Sequence, residues 1–172
     1  MFKHEDISLR ALEPEDLDLL YDWENRGEHW AISQTQQPFS KALLRAYLNQ
    51  QHRDVRETGQ LRLMICKSGE AIGTVELFDA DFWNQRAGIG VILFKQEYRG
   101  QGIAKVALDL LMNYAYSHLN FHQLYCNIDV NNSDSINLFK RLGFQQVGVK
   151  KDWVKINRKF VDIALFQHFA QP

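Results

Sequence analysis

The chain has 172 residues, of which 45% are hydrophobic and 24% charged, with ten glycines, three prolines and two cysteines, which is the composition of a single globular domain spanning residues 1–172 and not of a disordered, collagenous or disulfide-stapled chain. Twenty Lys and Arg against twenty-one Asp and Glu leave a net charge of −1, which removes the electrostatic drive for nucleic-acid binding. The most apolar uncharged stretch, residues 87–94, is far short of the ~20 residues of a membrane helix, the acidic N-terminus resembles neither a secretory nor a transit signal, and a cytoplasmic protein with no membrane or nucleic-acid partner is expected.

In chain order, residues 7–12 alternate as a first strand, and Glu13-Pro14-Glu15-Asp16 opens a helix to about Asn25, with proline in the first turn and acids at the positive end of the dipole. Residues 1–30 hold nine acids and three bases, a block that either draws a cationic substrate or forms a solvated helix face. A second helix is expected over 38–51, with Leu44, Tyr47, Leu48 and Gln51 at helical spacing. Strands at 61–66 and 71–78 flank a Ser68-Gly69 turn as an antiparallel hairpin, and a further strand covers 86–94. After Arg99-Gly100-Gln101-Gly102, residues 103–119 carry an apolar helical stripe. A buried strand over 123–130, a short helix over 133–142 ended by Gly143, and strands over 144–154 and 160–169 complete the chain. The expected fold is α/β (α+β): a mixed, mostly antiparallel sheet of about seven strands with about four helices.

Cys66 and Cys126 have no CxxC or CxxH neighbour and are expected to be reduced, half-buried thiols. The six histidines show no paired metal spacing, so no metal is expected. The informative segment is strand, glycine loop, helix. Glycines at 100 and 102 let the backbone turn its N–H groups outward, and the following helix adds unpaired N–H groups and a positive dipole end, together an anion cradle. Gly88 and Gly90 inside the preceding strand suggest a bulge or close approach of a ligand. A dinucleotide fingerprint would need glycine where Lys105 stands, and no Gly-Lys-Ser/Thr phosphate loop occurs.

Glu97-Tyr98-Arg99-Gly100-Gln101-Gly102-Ile103-Ala104 resembles the pyrophosphate motif of the GNAT superfamily of acyl-CoA N-acyltransferases, and Asn132-x-x-Ser135-Ile136-x-x-Phe139-x-x-x-Gly143-Phe144 resembles that family's second cofactor-contacting helix. The opening Leu9-Arg10-Ala11-Leu12-Glu13-Pro14-Glu15-Asp16-Leu17 is similar to the branch of spermidine and ribosomal-protein N-terminal acetyltransferases. The resemblance spans nearly the whole chain. It implies acetyl-CoA as co-substrate and a sheet splayed between the strands at 86–94 and 123–130. It also implies pantetheine pairing to Val91, Ile92 and Leu93, with the diphosphate held by backbone amides of Arg99, Gly100, Gln101, Gly102, Ile103, Ala104 and Lys105. Asn132 and Ser135 would contact the pantetheine arm, with Lys140 near the nucleotide; Asn132 could equally cap its helix.

The implied reaction is attack of a neutral amine on the thioester. It needs a base, an oxyanion donor, here a backbone N–H near Leu93, and an acid or solvent for the thiolate. The chain departs from the family at both side-chain positions, with Phe139 where a tyrosine acid is common and Asn127 where one ribosomal pattern has a glutamate base. Glu76 and Asp79, ending the strand beside the cofactor strand, are the candidate bases, and Asp129 is a third that turn capping explains as well. Tyr98 and Tyr125 fit aromatic packing better than proton donation. Trp30 and Trp83 fall in loops suited to wall the acceptor. The acceptor is expected to be a polyamine or other small cationic amine, with a peptide N-terminus as the alternative. A non-catalytic acyl-CoA-binding domain is the reading from another class. A homo-oligomer is compatible with the sequence.

Overall fold

A computed structural model describes residues 2–27, 30, 35–51, 53–156 and 158–170. Its elements in chain order are β1 (Lys3–His4), β2 (Ile7–Ala11), α1 (Leu17–Glu24), α2 (Lys41–Leu48), α3 (Val55–Thr58), β3 (Leu61–Lys67), β4 (Glu70–Asp81), β5 (Arg86–Leu93), α4 (Ile103–Ser117), β6 (Gln123–Asp129), α5 (Ser133–Arg141), β7 (Gln145–Ile156) and β8 (Lys159–Phe169). Among the described residues the sheet has eight strands, the extra one being the two-residue β1, and the single turn α3 is a helix not anticipated.

Local chemistry sets these boundaries. A 3-10 turn, Pro14–Asp16, precedes α1, and Asp16 and Glu13 form a capping box there. Both oxygens of the Asp16 carboxylate meet the Arg10 guanidinium at 2.7 Å, and one also accepts from the Glu13 amide at 2.9 Å. Helix α2 starts at residue 41 rather than 38 because Ser40, extended at φ −81°, turns its hydroxyl to accept from the Leu43 amide at 3.1 Å. Gly59, at φ +68°, closes α3.

The strand order is β1-β2-β3-β4-β5-β6-β8-β7. Every neighbouring pair is antiparallel except β5 and β6, which run parallel with α4 as their crossover. One apolar cluster joins α4 and α5 to the sheet through Leu63, Ile65, Val75, Ile89, Leu108, Leu111 and Phe166. A second, under α1 and α2, gathers Leu20, Trp23, Leu44, Leu48, Met64 and Phe94, with the Trp23 and Phe94 rings stacked at 4.5 Å. Alternation along β3 sends Leu63 and Ile65 to the first cluster and Met64 and Cys66 to the second, so the sheet is covered on both faces. Among the described residues no helix is long and apolar enough to cross a membrane.

Candidate active site

Strands β5 and β6 share only three pairs, Arg86–Gln123, Ala87–Leu124 and Gly88–Tyr125. Beyond these β5 continues against β4 as far as Leu93, while β6 continues against β8 as far as Asp129. The facing edges at 89–93 and 126–129 therefore diverge toward the carboxyl ends of two parallel strands, the end at which open sheets admit ligands. Val91, Ile92 and Leu93 pair with Val75, Thr74 and Gly73 on one side and border this cleft on the other.

The glycine loop lies at the mouth of the cleft. Gly100 and Gly102 hold φ of +75° and +79°, and a Cβ at either would meet nothing within 4 Å. Their role is thus to set backbone direction and not to admit a packed neighbour. Gly102 provides the N-terminal boundary of α4 without any side-chain cap, so the first-turn amides of Ile103, Ala104 and Lys105 lack intrahelical partners and point out of the helix end. The surrounding side chains are committed elsewhere. Lys105 pairs with Asp109 at 2.6 Å, Gln101 donates to the Glu97 carbonyl at 2.7 Å and accepts from Lys67 at 3.1 Å, and the Arg99 guanidinium binds the Leu93 carbonyl at 3.0 and 3.3 Å. Arg99 thereby straps the loop to the end of β5. Glu70 accepts from Tyr98 at 2.8 Å and pairs with Lys95, and these two partners hold its carboxyl below the usual range.

On the other rim, the Asn132 side chain accepts from the Ser135 amide at 3.1 Å and caps α5. Lys140 is exposed in the last turn of that helix, about 12 Å along the axis from Asn132 at 1.5 Å per residue. The first turn of α5 thus reaches the cleft's β6 side through the Asp129–Asn132 turn, while Lys140 stands apart.

Two glycines expected to behave alike do not. A Cβ on Gly88 would lie 2.2 Å from the Phe78 ring, so Phe78 fills the space and meets Tyr125 edge-on at 6.1 Å. Gly88 is a packing position, which corrects the expectation of ligand approach there. At Gly90 a Cβ would sit 3.8 Å from Glu76 Cγ and 3.9 Å from its Oε1, so the bare glycine leaves a recess beside that carboxylate. Glu76 is directly opposite Gly90 on β5 and Arg62 on β3, and directly opposed residues point to one face. Its Oε2 accepts from Gln60 at 3.1 Å, which leaves Oε1 toward Gly90. Asp79 occupies a bulge in β4 at φ +48°, exposed, on a cavity of about 330 Å³ lined also by Thr58, Gly59, Gln60, Phe78 and Ala80. It faces the Tyr125 phenol, which burial first and Asp79 second push up from the ordinary tyrosine value.

Phe139 is 5% exposed and packs edge-on against Phe144 at 5.0 Å, and Asn127 accepts from Lys150 at 2.8 Å, so neither position offers an acid or base. Asp129 accepts from the Asn131 amide at 2.8 Å in a turn. Trp83 is 93% exposed at the β4–β5 tip. Trp30 donates to the Glu24 carbonyl at 2.8 Å, whereas residues 28, 29 and 31–34 of the expected acceptor loop lie outside the described residues. Four acids of the N-terminal block are paired, Asp16 with Arg10, Asp18 with Lys41, Asp22 with Arg26 and Glu24 with Arg62. Two of these partners, Arg10 and Arg26, belong to the block itself, so only Lys41 and Arg62 bring charge to it from outside.

The Arg62–Glu24 pair was not anticipated. It lies where α1, α2, β3 and β4 meet, with side chains only 14% and 10% exposed. The hairpin register fixed by Ser68-Gly69 sets Arg62 opposite Glu76, but no local signal in the sequence pairs it with Glu24.

Residues 6–145 match the family model described as an acetyltransferase (GNAT) domain. The chain is 29% identical over 168 residues to spermidine N(1)-acetyltransferase of Escherichia coli K12, covering 94% of this chain and 87% of that one. It is 23% identical over 167 residues to the putative ribosomal N-acetyltransferase YdaF of Bacillus subtilis, covering 95% and 91%. The structure of spermidine N-acetyltransferase from Vibrio cholerae in complex with CoA and spermine superposes with a TM-score of 0.87, at 22% identity and 96% coverage of both chains.

Proposed function

Because the chain belongs to the GNAT acetyltransferase family, whose members use acetyl-CoA, we propose that it transfers the acetyl group to a small cationic amine of the polyamine class, with Glu76 as general base. The observation that carries this reading is the edge of β5 left without ladder pairs to β6 beyond Gly88, with the outward amides of α4 after its end and the Glu76 oxygen beside Gly90. The cradle suits a diphosphate, since its glycines have open space around them and its amides lack internal partners.

In this reading the amides of Arg99 to Lys105 hold the diphosphate, and the β5 edge at Val91, Ile92 and Leu93 pairs with the pantetheine arm. Asn132 and Ser135 border the arm from α5, and Lys140 serves the nucleotide end. The co-substrate supplies an acetyl thioester. Glu76 accepts the proton of the incoming ammonium, directly or through water, and Asp79 attracts a second positive charge of the acceptor. With Phe139 buried, thiolate departure proceeds without a side-chain acid, which the low basicity of a thiolate relative to an amine anion permits.

Two carboxylates on β4, Glu76 and Asp79, and the names of the relatives at 29% and 25% identity favour a polyamine. The peptide alternative finds no base at Asn127, which Lys150 engages. Thiol release from acetyl-CoA, measured with spermidine, spermine and short peptides, tests the reading. Turnover with the polyamines is expected, a preference for peptides selects the alternative, and tight CoA binding without any turnover selects a binding domain. Light scattering tests the accompanying expectation of a homo-oligomer, motivated by the edge strand β7 and its hairpin, where Trp153 and Phe160 are exposed.

A further inference from the structure

Behind Glu76 lies a buried polar group whose hydrogen bonding is incomplete. Arg62 on β3 donates to Glu24 of α1 and to the Thr74 hydroxyl at 3.3 Å, while its Nε is buried with no acceptor. The Tyr47 hydroxyl, reaching in from α2, is buried against this guanidinium and also lacks a partner. Orphaned buried donors are costly and call for a reason. A fully internal ion pair would satisfy itself; this one is shared. Arg62 is directly opposite Glu76 in the β3–β4 ladder, where facing Cβ atoms stand about 5 Å apart. Burial works to strip the guanidinium of its proton, but the charges of Glu24 and Glu76 and the phenol outweigh it, and its pKa is raised.

The charged and titratable groups around Glu76 are therefore Arg62 from β3, Tyr47 from α2 and Glu24 from α1; Gln60 binds one oxygen, and β5 contributes only bare Gly90. One cation sits between two carboxylates, and Glu24 holds it in place without using all of its hydrogens.

Resting on the reading of Glu76 as base, we infer that Arg62 is a positioning residue: anchored by Glu24, it sets a positive charge opposite the Glu76 carboxylate and keeps the free oxygen of that carboxylate turned to the recess at Gly90. An opposite charge nearby favours the ionised form of a carboxylate, and only that form can accept a proton from an amine. Glu24 competes with Glu76 for the same cation.

The test uses opposite signs. In the full-length enzyme, R62M is expected to move the acidic limb of the kcat/KM profile to higher pH by about one to three units, the range for an opposite charge within 4–6 Å. R62K is expected to restore most of that shift. E24Q frees Arg62 for Glu76 alone and is expected to move the limb to lower pH. The KM for acetyl-CoA stays unchanged in all three. A carboxyl-carbon NMR titration of Glu76 in the resting protein is expected to follow the same order.

A purely structural role would lower Tm in each variant and leave limb and NMR titration in place, which overturns the inference. Should R62M fail to fold, E24Q, which leaves Arg62 with a carboxylate partner, decides by the same criterion. E76Q separates the two levels. If E76Q keeps wild-type kcat/KM, the assignment of Glu76 as base fails and the inference falls with it; if E76Q is inactive while the Arg62 and Glu24 variants leave the limb unmoved, the inference alone fails.

Discussion

Replacing Gly102 by alanine tests whether the loop amides grip a diphosphate. Gly102 sits at φ +79° and would place a Cβ in open space, so the cost of G102A lies in the backbone and not in a clash. A non-glycine residue in the left-handed region costs about 1–2 kcal/mol. The stiffer unfolded chain changes stability by about 0.4–1 kcal/mol in the opposite sense. A loop held in place would thus lose about 1 kcal/mol, or roughly 2–4 °C in Tm for a domain of this size. The loop can escape the strain only by rotating the peptide after residue 102, which turns the amides of Ile103 to Lys105 away from their common focus. Losing one charge-assisted bond of about 1.5–3 kcal/mol weakens CoA binding by roughly 10- to 100-fold. Calorimetric titration with CoA measures this directly, and pantetheine, which carries no diphosphate, is expected to bind both proteins equally. G148A, at a glycine without positive φ and with nothing within 4 Å, controls for the added methyl group. A G102A protein that melts lower but binds CoA within twofold of wild type would falsify the cradle.

Three further substitutions probe the frame around the site. In G73A the new methyl would stand 2.3 Å from the Ile92 carbonyl oxygen and 2.9 Å from a Leu93 methyl; the destabilisation is expected at or above the about 1–3 kcal/mol of ordinary overpacking, and a urea midpoint equal to wild type would contradict the β4–β5 register. D16N removes a carboxylate whose pKa burial works to raise but the Arg10 and Glu13 hydrogen bonds hold below 3.8. A depressed acid stabilises the fold above its unfolded pKa and loses that contribution as pH falls through the folded one. The expected loss is about 2–4 kcal/mol at neutral pH, narrowing below pH ~4 in denaturation curves. His168, with Tyr116 Oη at 2.7 Å from its Nδ1, is held below 6.5 by burial. It favours the fold above that pH, and the benefit is lost as pH falls through its folded value. H168N is therefore expected to flatten the decline of stability between about pH 7 and 5; parallel curves for the two proteins would count against this.

Much of this arrangement was legible in the residues because single local signals decide it. Ser68-Gly69 sets the β3–β4 turn, Asn132 caps α5, and Gly100 and Gly102 mark the turn into α4. The divergence of β5 from β6 came from the family resemblance; no residue in either strand announces it. What stayed hidden depends on contacts across strands. The fate of Gly88 is decided by Phe78, ten residues away across a bulged hairpin, and glycine spacing alone cannot distinguish it from Gly90. The acidic N-terminal block left a cationic attractor and a solvated helix face both open, and the sequence did not show that Lys41 and Arg62, from outside the block, pair with Asp18 and Glu24. The Arg62 group escaped notice because an arginine in an alternating strand ordinarily belongs to the wet face, and here α1 and α2 cover that face.

The short seam between β5 and β6 has a mechanical meaning. Three ladder pairs join a five-stranded plate to a three-stranded one above an apolar cluster common to both, so the facing edges at 89–93 and 126–129 lack rungs to each other. An acyl carrier threaded along 89–93 would supply those rungs and brace the plates. Loading should then slow amide exchange at 89–93 and raise the melting temperature, with about 2.7 kcal/mol gained at a hundredfold excess over Kd. Such a protein completes its own architecture only while it holds its donor.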